Sequence, residues 1–133
     1  MIAAFALVLM VQASAPPFLR WWESPPAEAT HRATYDCAQG PVDLEIRQAH
    51  EVSLLSLSAA GRPIAPDAKA QANEILHRDF GWLDSWSVSC EGHRVFVELK
   101  GPNRTNFPPE YRPRTILLVF SGGKLVSTNS SLD

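Results

Sequence analysis

Residues 66–80 read PDAKAQANEILHRDF, and this is the one stretch of the chain with a clear helical period. Its apolar side chains recur at helical spacing and form a single stripe of Ala68, Ala72, Ile75 and Leu76. Proline suits the first helical position, and Gly81, just past the last turn, favours a left-handed cap. The stretch therefore predicts a helix over 66–80 that packs its stripe against a sheet.

On both sides of this helix, apolar and polar residues alternate with the period of β-strands. Residues 52–57 change phase between Leu54 and Leu55, which predicts a β-bulge or a strand buried on both faces. Short turns between most strands favour antiparallel neighbours. The predicted strands are 34–37, 42–47 and 52–57 before the helix and 86–90, 94–100, 115–120 and 125–128 after it. We therefore predict an α+β domain, a mostly antiparallel curled sheet of about six to seven strands with one helix packed on one face.

The amino terminus has the pattern of a targeting segment. Residues 1–13, MIAAFALVLMVQA, are apolar and precede a polar, proline-rich stretch, which is typical of a secretory signal peptide. An uncleaved membrane anchor or a helix of the fold are the alternatives. We predict a signal peptide over 1–13, an extended proline-rich leader over 14–31, a single α+β domain over 32–129 and a frayed tail over 130–133. Cleavage after Ala13 is preferred to cleavage after Ala15, and the expected location is the periplasm or outside the cell.

Composition excludes several classes of partner. The chain has 12 Lys and Arg and 14 Asp and Glu, spread without a basic block, which argues against a nucleic-acid surface. No second apolar run is long enough to cross a membrane, so no span is expected once the signal is removed. Phosphate-loop, nucleophile-elbow and paired-histidine motifs are missing from the sequence, so we assign no catalytic residue, metal or cofactor.

The two cysteines, Cys37 and Cys90, predict one disulfide, which is the usual state of a cysteine pair in an exported protein. It should join the first strand to the strand after the helix, with Cα atoms about 4.4–6.8 Å apart. The alternative is a metal site, because Cys90 and His93 have Cys-x-x-His spacing. A structural zinc site needs four ligands, usually in two close pairs, and Cys37 has no such neighbour.

The long connection GPNRTNFPPEYRP, residues 101–113, is the candidate functional segment. Structureless loops of this length are uncommon in compact domains and are often functional. Prolines stiffen the segment, and aromatic side chains beside arginines are typical of binding hot spots. The predicted partner-binding residues are Arg104, Phe107, Tyr111 and Arg112. The alternative is a surface connection whose aromatic side chains cover the edge of the core.

Residues 35–40, YDCAQG, resemble the start of the periplasmic C-type lysozyme inhibitors. The resemblance implies a small, disulfide-bonded, exported β domain. The Ser-Gly-x-x-Tyr segment that this family uses against its enzyme is not evident in the chain, and the family has no equivalent of the central helix.

The functional prediction is an exported, non-enzymatic binding or interaction module whose partner is an envelope protein or a small ligand. One alternative is an envelope structural or assembly factor tethered through the leader aromatics Phe18, Trp21 and Trp22. Another is a small hydrolase whose histidine and carboxylate meet only in the folded chain, because catalytic groups are defined by geometry and not by sequence order.

Overall fold

The computed structural model describes residues 28–102 and 113–132, which form eight strands and one helix. The elements are β1 (Ala29–Cys37), β2 (Gly40–Gln48), β3 (Val52–Ala59), β4 (Arg62–Pro63), α1 (Pro66–Asp79), β5 (Ser85–Glu91), β6 (Arg94–Pro102), β7 (Pro113–Ser121) and β8 (Lys124–Leu132). The strands make two antiparallel four-stranded sheets, in the orders β1-β2-β3-β4 and β5-β6-β7-β8. Each strand therefore pairs only with its neighbours in the sequence.

The α+β class is confirmed, but the prediction of one curled sheet is wrong. The first sheet ends at β4, which has two residues, and Pro63 has no backbone N–H with which to continue the pairing. The chain then forms α1, and β5 starts a separate sheet. Turns of two or three residues join the strands of the first sheet, and turns of two residues join β5 to β6 and β7 to β8, whereas the helix carries the chain from one sheet to the other.

Two element boundaries differ from the predicted ones. β1 begins at Ala29, so residues 29–31 of the predicted leader are paired with the end of β2. β8 continues to Leu132, so most of the predicted tail is paired with the start of β7. In both cases the backbone N–H and C=O groups are hydrogen-bonded to a partner strand although most of the side chains are polar. Apolar alternation in the sequence does not reveal such strand ends.

The predicted bulge in β3 is confirmed. Glu45 of β2 pairs with Ser56, whereas the next residue, Ile46, pairs with Leu54, so Leu55 is the extra residue. The insertion lets both Leu54 and Leu57 point into the core although they are three positions apart.

Buried side chains from both sheets and from α1 form one hydrophobic core. From the sequence we expect eight residues in this core, and six of them are buried, namely Leu44, Ile46, Leu76, Val97, Leu118 and Phe120. Ile75 and Val88 are partly buried against the same cluster. The helix end differs from the prediction, because Gly81 does not adopt a left-handed conformation. Phe80 is instead extended and fully buried, and the Gly81 N–H donates to Pro102 O at 3.1 Å.

The predicted disulfide between Cys37 and Cys90 is confirmed, with Cα atoms 6.0 Å apart. It ties β1 to β5, the edge strands on one side of the two sheets. Trp86 Nε1 donates to the Tyr35 hydroxyl at 2.9 Å and adds a polar contact between the same two strands. Because the Cys90 sulfur is bonded to Cys37, it is not available as the thiolate of a Cys-x-x-His metal site.

On the other side, α1 connects the sheets. The Asn73 amide accepts from Leu54 N–H at 2.7 Å and donates to Leu54 O at 3.0 Å, so it occupies the open edge of β3. At the end of the helix, the Ser130 hydroxyl of β8 donates to Asp79 Oδ2 at 2.7 Å. The helix thus replaces a strand as the neighbour of β3 and is hydrogen-bonded to β8.

Candidate functional site

A cleft opens where the four tight hairpin turns of the two sheets meet, at one end of the fold. We call it the turn cleft. Its volume is about 550 Å³, within the range of small-molecule sites. Each turn contributes to it, through Gln39, Ala60, His93 and Gly122. The rest of the lining comes from Leu57, Ala59, Arg62, Pro63, Ile64, Val95, Phe120, Ser121 and Gly123.

The turn cleft has an apolar floor and a basic rim. Leu57, Val95 and Phe120 belong to the hydrophobic core and form the floor. Arg62 and His93 are exposed at the rim. Within residues 28–102 and 113–132, neither of these two side chains makes a hydrogen bond or an ion pair. The guanidinium is permanently cationic, so the cleft presents a fixed positive charge above an apolar surface.

Backbone hydrogen bonds hold the turns around the cleft in place. The Ala60 N–H donates to Pro41 O at 2.8 Å, which joins the turn after β3 to the start of β2. The Ala65 N–H donates to Gly123 O at 2.8 Å, which joins the connection between β4 and α1 to the turn between β7 and β8. The disulfide adds a covalent link at the same end of the fold, so the cleft is largely preformed and a ligand would pay little ordering cost.

A second constellation lies at the opposite end, where a serine, a histidine and a glutamate meet. His77 is in the last turn of α1, and its Nε2 atom is 2.9 Å from Ser53 Oγ on β3. On the other side of the ring, Nδ1 is 3.5 Å from Glu51 Oε2. With the ring proton on Nδ1, Nε2 accepts the Ser53 hydroxyl proton and the imidazole faces the carboxylate. This is the order of groups found in base-activated serine nucleophiles.

The surroundings of this constellation are more open than those of the turn cleft. The side chains of His77 and Glu51 are 35% and 47% exposed, and they do not line the turn cleft. The Leu54 N–H, next to Ser53, is already bonded to Asn73 and is therefore occupied as an oxyanion donor.

Arg78 and Asp79 form an ion pair that stabilises the end of α1. Hydrogen bonds from Arg78 hold the pKa of Asp79 below its ordinary value, partial burial acts against them, and the Ser130 hydroxyl and the charge of Arg114 add to the lowering. Arg114 also donates to Ser130 Oγ at 2.6 Å, so the network connects α1 with β7 and β8. These groups are fully engaged with one another, and we assign them a structural role.

The residues predicted to bind a partner, Arg104, Phe107, Tyr111 and Arg112, lie outside the described residues, and their role stays a prediction. The same is true of the leader aromatics Phe18, Trp21 and Trp22 and of the signal peptide over 1–13. The strand ends that flank the predicted loop, Pro102 and Pro113, are paired at the end of the fold opposite the turn cleft.

The sequence analysis missed Arg62 and His93 as residues of the turn cleft, and it did not single out Ser53. A usable signal was present, because the turns that follow alternate strands of a meander lie at the same end of the sheet. Two-residue turns at 38–39, 60–61, 92–93 and 122–123 therefore have to cluster within each sheet. That the two clusters face the same end is a property of the tertiary fold.

The described residues hold no group of three or more His, Cys, Asp or Glu placed to bind a metal ion. In the same part of the chain, none of the helical structure has the length and apolar character needed to cross a membrane. Comparisons with protein-family models, curated proteins and solved structures find no match to this chain. The likeness of residues 35–40 to lysozyme inhibitors therefore stays an interpretation of a short segment, and function has to be argued from the sites themselves.

Proposed function

We propose that this protein is an exported binding module that holds a small amphipathic anion in the turn cleft. The observation that carries the proposal is an apolar floor below an exposed rim arginine, Arg62, which has no ion-pair partner in the described part of the chain. An apolar ligand body would cover Leu57, Val95 and Phe120, and its carboxylate would lie beside Arg62. A charge-assisted hydrogen bond to a guanidinium is stronger than a neutral one and selects for an anion.

Export is part of the proposal. A disulfide that closes a long segment of chain is typical of proteins that mature in an oxidising compartment. It agrees with the signal peptide predicted over 1–13. The compartment can be tested directly by expressing the gene in a bacterium with its own amino terminus and following the protein and its amino-terminal residue in the periplasmic fraction.

The binding proposal is tested by titrating the disulfide-bonded protein with dodecanoate and with dodecanol in a calorimeter. The two probes share the same apolar chain, so their difference isolates the carboxylate. We expect dodecanoate to bind with negative heat capacity change and Arg62→Gln to weaken it about tenfold, with dodecanol unaffected. The matched control is Arg47→Gln, which removes an exposed arginine at the far end of β2.

Two results would contradict the proposal. Dodecanoate that fails to saturate the protein would exclude an anion site with an apolar floor. Equal weakening by Arg62→Gln and Arg47→Gln would show that the chain attracts the anion through general charge and not through the turn cleft.

A second candidate function is supported by one specific contact, the 2.9 Å hydrogen bond between Ser53 Oγ and His77 Nε2. We propose that this pair performs slow hydrolysis of small esters. Ser53 Oγ would attack the ester carbonyl carbon while His77 takes the hydroxyl proton and passes it to the departing alcohol, which leaves an acyl group on Ser53. Water would then attack that acyl group, with His77 again as base, and release the acid.

The hydrolase candidate is tested with a fluorophosphonate probe, which reacts only with activated serines, followed by mass spectrometry of the labelled peptide. We expect the label on Ser53 and its loss in both Ser53→Ala and His77→Gln. Ser56→Ala, an exposed serine on the same strand, is the matched control. No label, or a label that survives His77→Gln, would leave the binding module as the only proposed function.

A further inference from the structure

Four polar side chains line the turn cleft, and each comes from a different one of the four hairpins whose turns form it. Gln39 lies in the turn between β1 and β2, and His93 lies in the turn between β5 and β6. Arg62 begins β4 directly after the turn that follows β3, and Ser121 ends β7 directly before the turn to β8. Polar groups that are distant in the sequence are thus gathered around one apolar floor.

Each of these four side chains can donate a hydrogen bond, and an imidazole has an N–H to donate whether it is neutral or protonated. Across the two described ranges of the chain, none of the four makes a side-chain hydrogen bond or an ion pair. No Asp or Glu is among the described residues that line the cleft, so a bound anion would meet no carboxylate there. The lining therefore offers several unused donors to an anion.

The number and charge of these donors distinguish between classes of anion. A carboxylate has two oxygens, and a single guanidinium can engage both of them. A phosphate monoester has three terminal oxygens and carries close to two negative charges at neutral pH. Its additional oxygen and charge match a second basic side chain at the rim, and Arg62 and His93 are the two lining residues that can be cationic.

We propose that the anion held in the turn cleft is an amphiphile whose head group is a phosphate monoester. This inference rests on the proposed function, in which the apolar body of the ligand covers the floor of the cleft. Arg62 and His93 supply the charge that balances the phosphate, and the neutral donors of Gln39 and Ser121 complete its hydrogen bonds. A carboxylate on the same apolar body leaves part of this donor set unused.

The first experiment compares dodecyl phosphate, dodecanoate and inorganic phosphate by calorimetric titration of the disulfide-bonded protein at neutral pH, with both amphiphiles kept below the concentration at which they form micelles. We expect dodecyl phosphate to bind at least about tenfold more tightly than dodecanoate, because the apolar chain is the same and only the head group differs. Inorganic phosphate should bind at least about a hundredfold more weakly than dodecyl phosphate, because it leaves the apolar floor uncovered. This arm separates a phosphate amphiphile from free phosphate.

The second experiment tests whether the rim selects the phosphate. His93→Ala should weaken dodecyl phosphate about tenfold and leave the affinity for dodecanoate within about threefold of wild type, so the preference between the two head groups shrinks. The matched control is His50→Ala, which removes an exposed histidine from the turn between β2 and β3, at the opposite end of the fold. It should leave the preference for phosphate unchanged.

Three results overturn this inference while the proposed function stands. They are a dodecyl phosphate affinity no higher than that of dodecanoate, an inorganic phosphate affinity equal to that of dodecyl phosphate, and a phosphate preference that survives His93→Ala or is lost equally in His50→Ala. If neither amphiphile saturates the protein, the proposed function fails and this inference fails with it.

Discussion

Gly101 lies directly under the backbone of Trp82, and its replacement by alanine tests the packing at the end of the fold opposite the turn cleft. A Cβ atom at position 101 would be 1.8 Å from Trp82 O and 3.3 Å from Leu83 Cα. The crossing segment is held on both sides, because the Gly81 N–H donates to Pro102 O at 3.1 Å and the Asp84 N–H donates to Lys100 O at 2.8 Å. The new methyl group therefore has to displace backbone and not a flexible side chain.

The expected cost follows from these contacts. Overpacking typically costs about 1–3 kcal/mol, and each backbone hydrogen bond lost in the displacement adds about 1 kcal/mol. The buried Gln48 amide depends on the same segment, because in the orientation that satisfies both of its groups the oxygen accepts from Trp82 Nε1 at 3.0 Å and the nitrogen donates to Leu83 O at 3.3 Å. We therefore expect Gly101→Ala to lower the free energy of unfolding by about 2–4 kcal/mol.

The assay is urea unfolding followed by far-ultraviolet circular dichroism and tryptophan fluorescence. Gly92→Ala is the matched control, because its Cβ would meet open space and only the φ of +60° is unfavourable. That conformational cost is about 1 kcal/mol. A Gly101→Ala loss no larger than the Gly92→Ala loss would refute the reasoning, since it would mean that residues 82–83 do not run against β6.

Three further predictions concern the core, the helix end and the disulfide. Leu76→Ala should cost about 2–5 kcal/mol of unfolding free energy, because the side chain is fully buried, and a loss near zero would mean that α1 buries another face. Asp79→Asn should lower the free energy of unfolding at neutral pH. Because the pKa of Asp79 is lowered in the folded state, the ionised carboxylate stabilises the fold above its unfolded-state pKa. The difference in melting temperature between wild type and Asp79→Asn should therefore fade below about pH 4. Changing Cys37 and Cys90 together to serine should cost about 4 kcal/mol in the chain-entropy model, and thiol titration of the unfolded, unreduced protein should find no reactive thiol.

Local patterns in the sequence were reliable where one physical rule dominates. The apolar stripe of 66–80 predicted α1 to within a residue at its end. Helical spacing and a proline at the first position are local signals, which do not depend on contacts distant in the sequence. The change of phase at Leu54 and Leu55 predicted a bulge or a strand buried on both faces, and the bulge is the one that forms. The disulfide followed from a chain with two cysteines.

Predictions failed where the answer depended on contacts distant in sequence. The left-handed cap at Gly81 was wrong because the hydrogen bond to Pro102 draws the chain into an extended path as soon as α1 ends. The pattern of residues 52–57 held no information about which helix residue would lie beside Ser53.

The sequence by itself predicted seven of the eight described strands, the helix and the antiparallel pairing of neighbouring strands, because these depend on periodicity and on short turns. It left the bulge as one of two alternatives for β3. Only the tertiary structure decided that the strands divide into two sheets, since the choice depends on how α1 lies between β3 and β8. It also decided the candidate sites. Arg62 and His93 share one rim, and Ser53 meets His77, because residues far apart in the chain are brought together when one core is buried between both sheets and the helix.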